Sequence, residues 1–275
     1  MRLSNIMKQI DLATIKRIEL NILLEFDIFC KQNDLRYMLA GGTLLGAIRH
    51  KGFIPWDDDI DVCMPRDDYE RLYEILKNKK MKDRFRLISY RDNSAIYPFF
   101  KLVDDFTVAS ENALRTGENL GLWIDIFPLD GCPKEKKKAS RMLKKIAFYK
   151  WLINISNCRL GTGTTKWKAI LKAPVVVLTR FINTRKVAEH ISKISQSYDV
   201  NNSPCVASFL GCYGEKEQMP SSFLETVEVE FEGHMFPTSK EWEYYLSSLY
   251  GDYMELPPED KRVQHSMVAY YKNEE

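Results

Sequence analysis

The sequence predicts an α+β or α/β fold: a β-sheet core flanked by helices, with a basic, mostly helical insert. Three observations carry that expectation. Apolar residues near the N-terminus recur at helical spacing, short apolar runs bounded by Gly or Pro then alternate with helical stretches, and the charge turns strongly basic after Pro133. Leu12, Ile15, Ile18, Ile22 and Phe26 mark a first helix, capped by Asp11 and ending near Asn33-Asp34. Tyr37 to Ala40 is a short strand that Gly41-Gly42 stops in a tight turn, and Thr43 to Arg49 begins a helix whose first amides are free. Ile60 to Met64 is a strand, Pro65 ends it, and Arg66 to Asn78 is a helix. Phe85 to Tyr90, Phe99 to Val103 and Trp123 to Phe127 are further strands. The basic region after Pro133 is helical, interrupted by a loop at Gly161-Thr162-Gly163-Thr164-Thr165. The chain therefore divides into a catalytic core over 1–133, a basic helical region over 134–200 and a C-terminal part over 201–275 that packs back on the core.

Composition narrows the class. With 275 residues, 45% hydrophobic and 28% charged, the chain is neither disordered nor fibrous. Its net charge of +2 hides a polar distribution: residues 134–186 hold fifteen Lys or Arg and one acid, Glu135. The six cysteines form no CxxC pair, which excludes a disulfide framework and a zinc ribbon and points to free thiols in a reducing cytosol. The N-terminus shows no apolar signal region. The longest apolar run, Ala173 to Leu178, falls far short of the roughly 20 residues that span a bilayer. A cytoplasmic protein is expected, with peripheral contact to the inner face of the plasma membrane as an option.

The chemistry concentrates at Asp57-Asp58-Asp59-Ile60-Asp61. On a strand, Asp57, Asp59 and Asp61 project from one face. Carboxylates that close repel, and a hard divalent cation with oxygen ligands, Mg²⁺ or Mn²⁺, resolves the conflict. An EF-hand is excluded, because Val62 and Asp68 stand where that loop needs Gly and Glu. Gly41, Gly42 and Thr43 open the stretch that ends at Arg49; glycines let backbone amides approach a ligand, and a helix start favours phosphate. Neither a Walker loop nor GxGxxG is present. A phosphate cradle just ahead of an acidic strand implies metal-assisted phosphoryl chemistry. Asp125, alone in the apolar run Trp123 to Phe127, is a third metal ligand or a general base, whereas Asp130 reads as a turn residue. Lys101 is either a further phosphate contact or an ordinary surface lysine, and Asp104 and Asp105 are weaker candidates. The four histidines are scattered and organise no site.

Together, GGTLLGAIRHKGFIPWDDDIDVCMPRDDYERL over 41–72, GLWIDIFPLD over 121–130 and LYGDYMELPPEDKRVQH over 249–265 resemble the LicD family, which is related to fukutin and shares the nucleotidyltransferase fold. The basic middle carries no matching motif. The resemblance implies an α+β fold with a mixed β-sheet core flanked by helices, that the turn Gly41-Gly42-Thr43 holds nucleotide phosphates, that Asp59 and Asp61 are the paired metal carboxylates, that Asp57 assists and that Asp125 supplies the third carboxylate from a neighbouring strand. It implies transfer of phosphocholine from CDP-choline to a sugar hydroxyl of a teichoic acid precursor or lipopolysaccharide. Choline, a quaternary ammonium, calls for an aromatic cage, for which Trp56, Trp123, Tyr250 and Tyr253 are candidates.

Lys137, Arg141, Lys144 and Lys145 share a helical face that suits an anionic membrane, a lipid-linked or polymeric glycan acceptor, or water alone. No nucleic-acid motif accompanies the charge. The competing readings are a glycosyltransferase using D-x-D, a nucleotidyltransferase attacking an α-phosphate, and a non-catalytic membrane-surface adaptor. The early position of the acid run argues against the first, and its three carboxylates argue against the last.

Overall fold

The computed structural model describes residues 9–110, 120–159, 166–211, 213–262 and 268–272; the loop at 161–165, Cys212 and the last part of the C-terminal motif, 263–265, lie outside them. Helix α1 (Leu12–Gln32) starts where expected, its Asp11 side chain accepting from the Thr14 N–H at 2.7 Å. The helix buries Ile15, Ile18, Ile22, Leu23 and Phe26 and packs on the middle of the sheet.

That sheet is assembled from β1 (Met38–Leu39), β2 (Asp61–Pro65), β3 (Phe85–Ile88), β4 (Phe100–Asp104) and β6 (Trp123–Cys132), in the order β1-β2-β6-β4-β3. β2 and β6 run parallel and the other pairs antiparallel, which is the mixed sheet of an α+β fold. Helix α2 (Gly41–His50) connects β1 towards β2, and α3 (Arg66–Leu76) follows β2 directly. β6 is the axis: its first half pairs with β2 and β4, and its last residues pair with β7 (Cys205–Ala207), which in turn pairs with β8 (Gln218–Pro220). Chain from beyond residue 200 is thus woven into the sheet. β5 (Thr107–Ser110) pairs with β11 (Val268–Tyr271). The hairpin of β9 (Thr226–Phe231) and β10 (His234–Ser239) lies against β1, where Thr238 Oγ1 donates to the Leu39 carbonyl. Helix α7 (Trp242–Tyr250) closes that end.

The basic region forms α4 (Lys136–Asn157), α5 (Lys166–Thr179) and α6 (Thr184–Ser195). Ala139, Leu143, Ile146 and Ile153 of α4 bury with Ala188 and Ile191 of α6 and with Phe209 and Leu210 in a second, smaller core. Lys137, Arg141, Lys144 and Lys145 are exposed, as are Phe148, Trp151, Leu178 and Phe181. Among the described residues no helix is long and apolar enough to cross a membrane, and Cys30, Cys63, Cys132 and Cys205 are free thiols.

Three local readings change. Gly41 and Gly42 form the first turn of α2 rather than a turn ahead of it. Residues 57–60 are extended but precede the hydrogen-bonded ladder, which begins at Asp61. β6 continues to Cys132, so Asp130 is a buried strand residue, held by Arg66 through Nε–Oδ1 (2.7 Å) and Nη2–Oδ2 (2.6 Å). The turn residues around it in sequence obscured a charge pair that only the sheet register brings together.

Candidate active site

A cleft of about 660 Å³ opens where α2 begins. Gly41, Gly42 and Arg49 line one side, Asp57, Asp59 and Asp61 another, and the segment from Tyr250 to Lys261 closes it opposite them. Extended backbone alternates its side chains even without a ladder, so Asp57, Asp59 and Asp61 all reach the cleft while Asp58 and Ile60 turn inward and are buried.

Glycine is required at the lip. Gly41 adopts φ +54°, and a Cβ there would come within 2.9 Å of Asp61 Oδ2. At Gly42 a Cβ would lie 2.7 Å from Asp57 Oδ2. The carboxylates and the start of α2 are therefore in direct apposition. The N-cap residue Ala40 makes no side-chain cap, and the Gly41 N–H donates to Tyr245 Oη at 3.2 Å, so the positive end of the α2 dipole lies at the cleft with Gly42 as its next amide. Thr43 does not face it: the Asp61 N–H donates to Thr43 Oγ1 at 2.8 Å, which locks the helix to the acidic strand. Arg49 donates through Nη1 to the carbonyls of Tyr253 (2.9 Å) and Glu255 (3.3 Å), which fastens the far wall.

Across the sheet, Asp61 on β2, Asp125 on β6 and Lys101 on β4 stand in register side by side. Lys101 Nζ meets Asp125 Oδ1 at 2.9 Å and is buried beneath the rings of Trp123 and Tyr97, at 4.0 and 4.4 Å from their centroids. Lys101 and Asp125 thus form a layer beside the cleft lining, not part of it. Asp104 and Asp105 are engaged elsewhere, Asp104 with Arg84 and Asp105 with Arg86 and Lys80.

Burial pushes the Asp61 carboxyl well above the usual carboxylate range; Asp59, Asp125 and Asp57 push the same way, and Lys101 opposes them. Behind the cluster, Glu19 of α1 is completely buried and neither carboxyl oxygen has a hydrogen-bond partner. Burial raises it as well, with Asp59 the largest neighbouring charge. Glu19 escaped the sequence reading although a signal existed: it lies four residues after Ile15 and three before Ile22, on the apolar stripe. Also unforeseen were Lys261 and Tyr213 in the cleft wall. Lys16 supports the acid run from below, donating to the carbonyls of Ile54 (3.0 Å) and Pro55 (3.2 Å).

The donor set is all oxygen, the chemistry a hard divalent cation takes. Among the described residues no three His, Cys, Asp or Glu side chains converge as they stand on one metal position. Asp57, Asp59 and Asp61 share the cleft, so an ion there would draw on side-chain rotation rather than backbone movement. Of the aromatics, Tyr250, Tyr253 and Trp56 line the cleft, but Arg262 covers the Trp56 ring at 4.8 Å, as Lys101 covers Trp123. Both tryptophan faces are thus engaged by this chain's own cations.

A family model described as LicD/FKTN/FKRP, nucleotidyltransferase domain, matches residues 34–151, which hold the glycine lip and all of these aspartates. The chain is 32% identical over 268 residues to the lipopolysaccharide cholinephosphotransferase LicD of Haemophilus influenzae, covering 96% of this chain and 99% of that protein. Two shorter likenesses are to uncharacterised rickettsial proteins. One, of Rickettsia prowazekii, is 47% identical over 45 residues, 16% of this chain and 17% of its own. The other, of Rickettsia typhi, is 38% identical over 60 residues, 22% of this chain and 18% of its own.

Proposed function

The chain belongs to the LicD family, and on that premise we propose that it transfers phosphocholine from CDP-choline to a sugar hydroxyl of a cell-surface glycan. The observation that carries this reading is the apposition of the α2 N-terminus and Asp57, Asp59 and Asp61 across one cleft. A diphosphate needs hydrogen-bond donors for its oxygens and a counter-charge for the leaving group, and the two walls offer these.

The Gly41 and Gly42 backbone receives the diphosphate, and Arg49 and Lys261 add positive charge at the rim. Asp57, Asp59 and Asp61 would hold Mg²⁺ or Mn²⁺. That ion supplies Lewis-acid neutralisation of charge developing on the departing nucleotide. The acceptor oxygen bonds to the choline-bearing phosphorus, the bond from that phosphorus to the CMP oxygen breaks, and CMP leaves with the electron pair. The hydroxyl proton passes to a carboxylate of the cluster, and Asp125, adjacent in register to Asp61 and oriented by Lys101, is our assignment.

The acceptor is a lipopolysaccharide or teichoic acid precursor. The exposed cations of α4 hold the enzyme at the anionic inner face of the plasma membrane, where a lipid-linked acceptor would be presented.

The test is nucleotide release by the full chain with Mg²⁺ and CDP-choline, CDP-ethanolamine, UDP-sugars or NTPs, with and without glycan acceptor. Acceptor-dependent CMP from CDP-choline is expected. UDP from a UDP-sugar, or pyrophosphate from an NTP, would overturn the reading.

A further inference from the structure

Beneath the cleft lies a second, more enclosed chamber. The two share Gly41, Asp61 and Tyr213, so the chamber opens at the foot of the acidic wall. Its character is different. Phe127 of β6, Tyr213, Phe223 and Tyr245 supply its aromatic walls, and Glu217, 4% exposed, is its carboxylate besides Asp61. The walls are braced from outside: Phe223 and Tyr245 pack with ring centroids 5.2 Å apart, Tyr213 packs edge-on to Tyr250 at 5.1 Å, and Tyr245 Oη accepts from the Gly41 N–H at 3.2 Å. Glu217 is fixed by the Tyr213 N–H, which donates to Oε1 at 2.8 Å.

Resting on the phosphocholine-transfer reading, we infer that this chamber receives the quaternary ammonium head group of the donor, with aromatic faces around the methyls and the Glu217 carboxylate balancing the charge. A trimethylammonium group donates no hydrogen bonds, so a site for it needs apolar and aromatic walls plus a negative charge within the cavity. The larger cleft meets these conditions less well: its lining is rich in polar groups, and one face of its Trp56 is taken by Arg262. The path also suits the reaction. A donor with its diphosphate over the lip that Gly41 and Asp61 form together has its head group at the shared opening, and its nucleotide in the larger cleft.

A buried carboxylate against an apolar cavity is unfavourable in a protein that binds nothing there. Burial holds the Glu217 carboxyl up at about 7, although the Tyr213 N–H, the Lys150 ammonium and the Ser208 hydroxyl favour its charged form. Gly211 packs against the carboxyl so closely that a Cβ there would collide with both Glu217 oxygens. The acid is thus packed in place, facing a space that a cation would fill.

The experiment measures the affinities of the full chain for CDP-choline and for CDP by calorimetry, in parallel with CMP release. The wild type should bind CDP-choline about tenfold tighter than CDP, the size of one desolvated cation–π contact. Glu217→Gln should bring that ratio close to one while CDP affinity stays within about twofold, Tyr213→Leu should bring the ratio close to one whatever its effect on CDP itself, and Tyr213→Phe should restore it. Tyr213 is 40% exposed, so its replacement leaves the core intact. Both variants keeping the wild-type ratio would place the head group elsewhere and overturn this inference while the transfer reading stands. A wild type that turns over CDP-choline without preferring it to CDP would likewise overturn the inference alone. No CMP release from CDP-choline, together with no preference, would overturn both.

Discussion

Gly42 and Asp57 approach so closely that a methyl group on the glycine would lie 2.7 Å from Asp57 Oδ2. The contact joins the anion-binding helix start to the first carboxylate of the acid run. Asp59 of that run follows Thr43 by sixteen positions in sequence, yet helix start and acid run form facing walls of one cleft. Gly42→Ala should therefore displace the Asp57 side chain by the few tenths of an ångström to an ångström that relieve the overlap. Alanine favours the helix, so stability should hold or rise slightly. Activity should fall by about 10²-fold, the usual price of a misplacement on that scale. Steady-state CMP release together with a melting curve checks both halves.

Metal removal tests the acid wall. Chelation should abolish CMP release, and Mg²⁺ or Mn²⁺ should restore it. Asp59→Asn should lose at least about 10²-fold in rate, yet melt at or slightly above the wild-type temperature in metal-free buffer, because one of several mutually repelling carboxylates is gone. Titration of each ion followed by the fluorescence of Trp56, in the same cleft, provides a readout that does not need turnover. An Asp59→Asn protein with wild-type rates would remove the metal assignment.

The Arg66–Asp130 pair lies outside the chemistry and inside the core, with side chains 9% and 1% exposed. Truncating Asp130 leaves the buried Arg66 guanidinium with the Glu70 carboxylate, at 3.2 Å, as its remaining acidic partner. Asp130→Ala should destabilise by about 3–5 kcal/mol, and urea unfolding measures it. The variant that remains folded should keep its KM, since neither residue touches the cleft.

What sequence made legible follows from range. Periodicity is local, so α1 with its Asp11 cap, the Arg66 helix and the alternation of Asp57, Asp59 and Asp61 were readable from neighbours alone. Gly41 was readable because an αL start leaves few residue choices. Asp130 was misread because Pro128 and Gly131 look like turn chemistry, and only the pairing of Pro128 with β2 and of Asp130 and Gly131 with β7 makes them strand. The commitment of Lys101 to Asp125 is a cross-strand contact between β4 and β6 that no spacing encodes. Glu217 and Tyr213 reach the site only because β7 and β8 extend the sheet from β6, which is topology rather than pattern.

The basic helices carry a prediction of their own. Lys137, Arg141 and Lys144 continue along α4 into Phe148 and Trp151, at steps of four, three, four and three residues, so cations and exposed aromatics share one stripe. Reversing Lys137, Arg141, Lys144 and Lys145 to Glu should abolish cosedimentation with phosphatidylglycerol vesicles, with each nearby cation worth about 1 kcal/mol. Wild-type binding should weaken as salt rises. CMP release with a soluble acceptor should be unchanged, and vesicle binding by the reversed protein would remove the membrane role.

Glu217 makes the stability of the protein depend on pH in a direction opposite to that of an ordinary salt-bridged acid. Its folded value of about 7 lies above the ordinary 4.5. Between those values the folded state holds a proton that the unfolded state releases, so stability falls as pH rises through this window. Above it the carboxylate is charged in both states, and the folded protein bears the full penalty, roughly 3 kcal/mol. The groups that face it are Lys150 of α4, Tyr213 and Ser208 of the adjoining loop, Cys63 of β2 and Tyr245 of α7. Of these Lys150 favours the charged form of Glu217 electrostatically and so moderates the penalty. Glu217→Gln should raise the melting temperature at pH 8, have little effect at pH 5, and flatten the profile between. Choline should do for the wild type what the substitution does for the variant: as a cation beside the carboxylate, it should stabilise the wild type more at pH 8 than at pH 5 and leave Glu217→Gln unmoved at both. Melting curves at the two pH values, with and without millimolar choline, measure all four corners. Equal stabilisation of wild type and variant would detach the carboxylate from the cation.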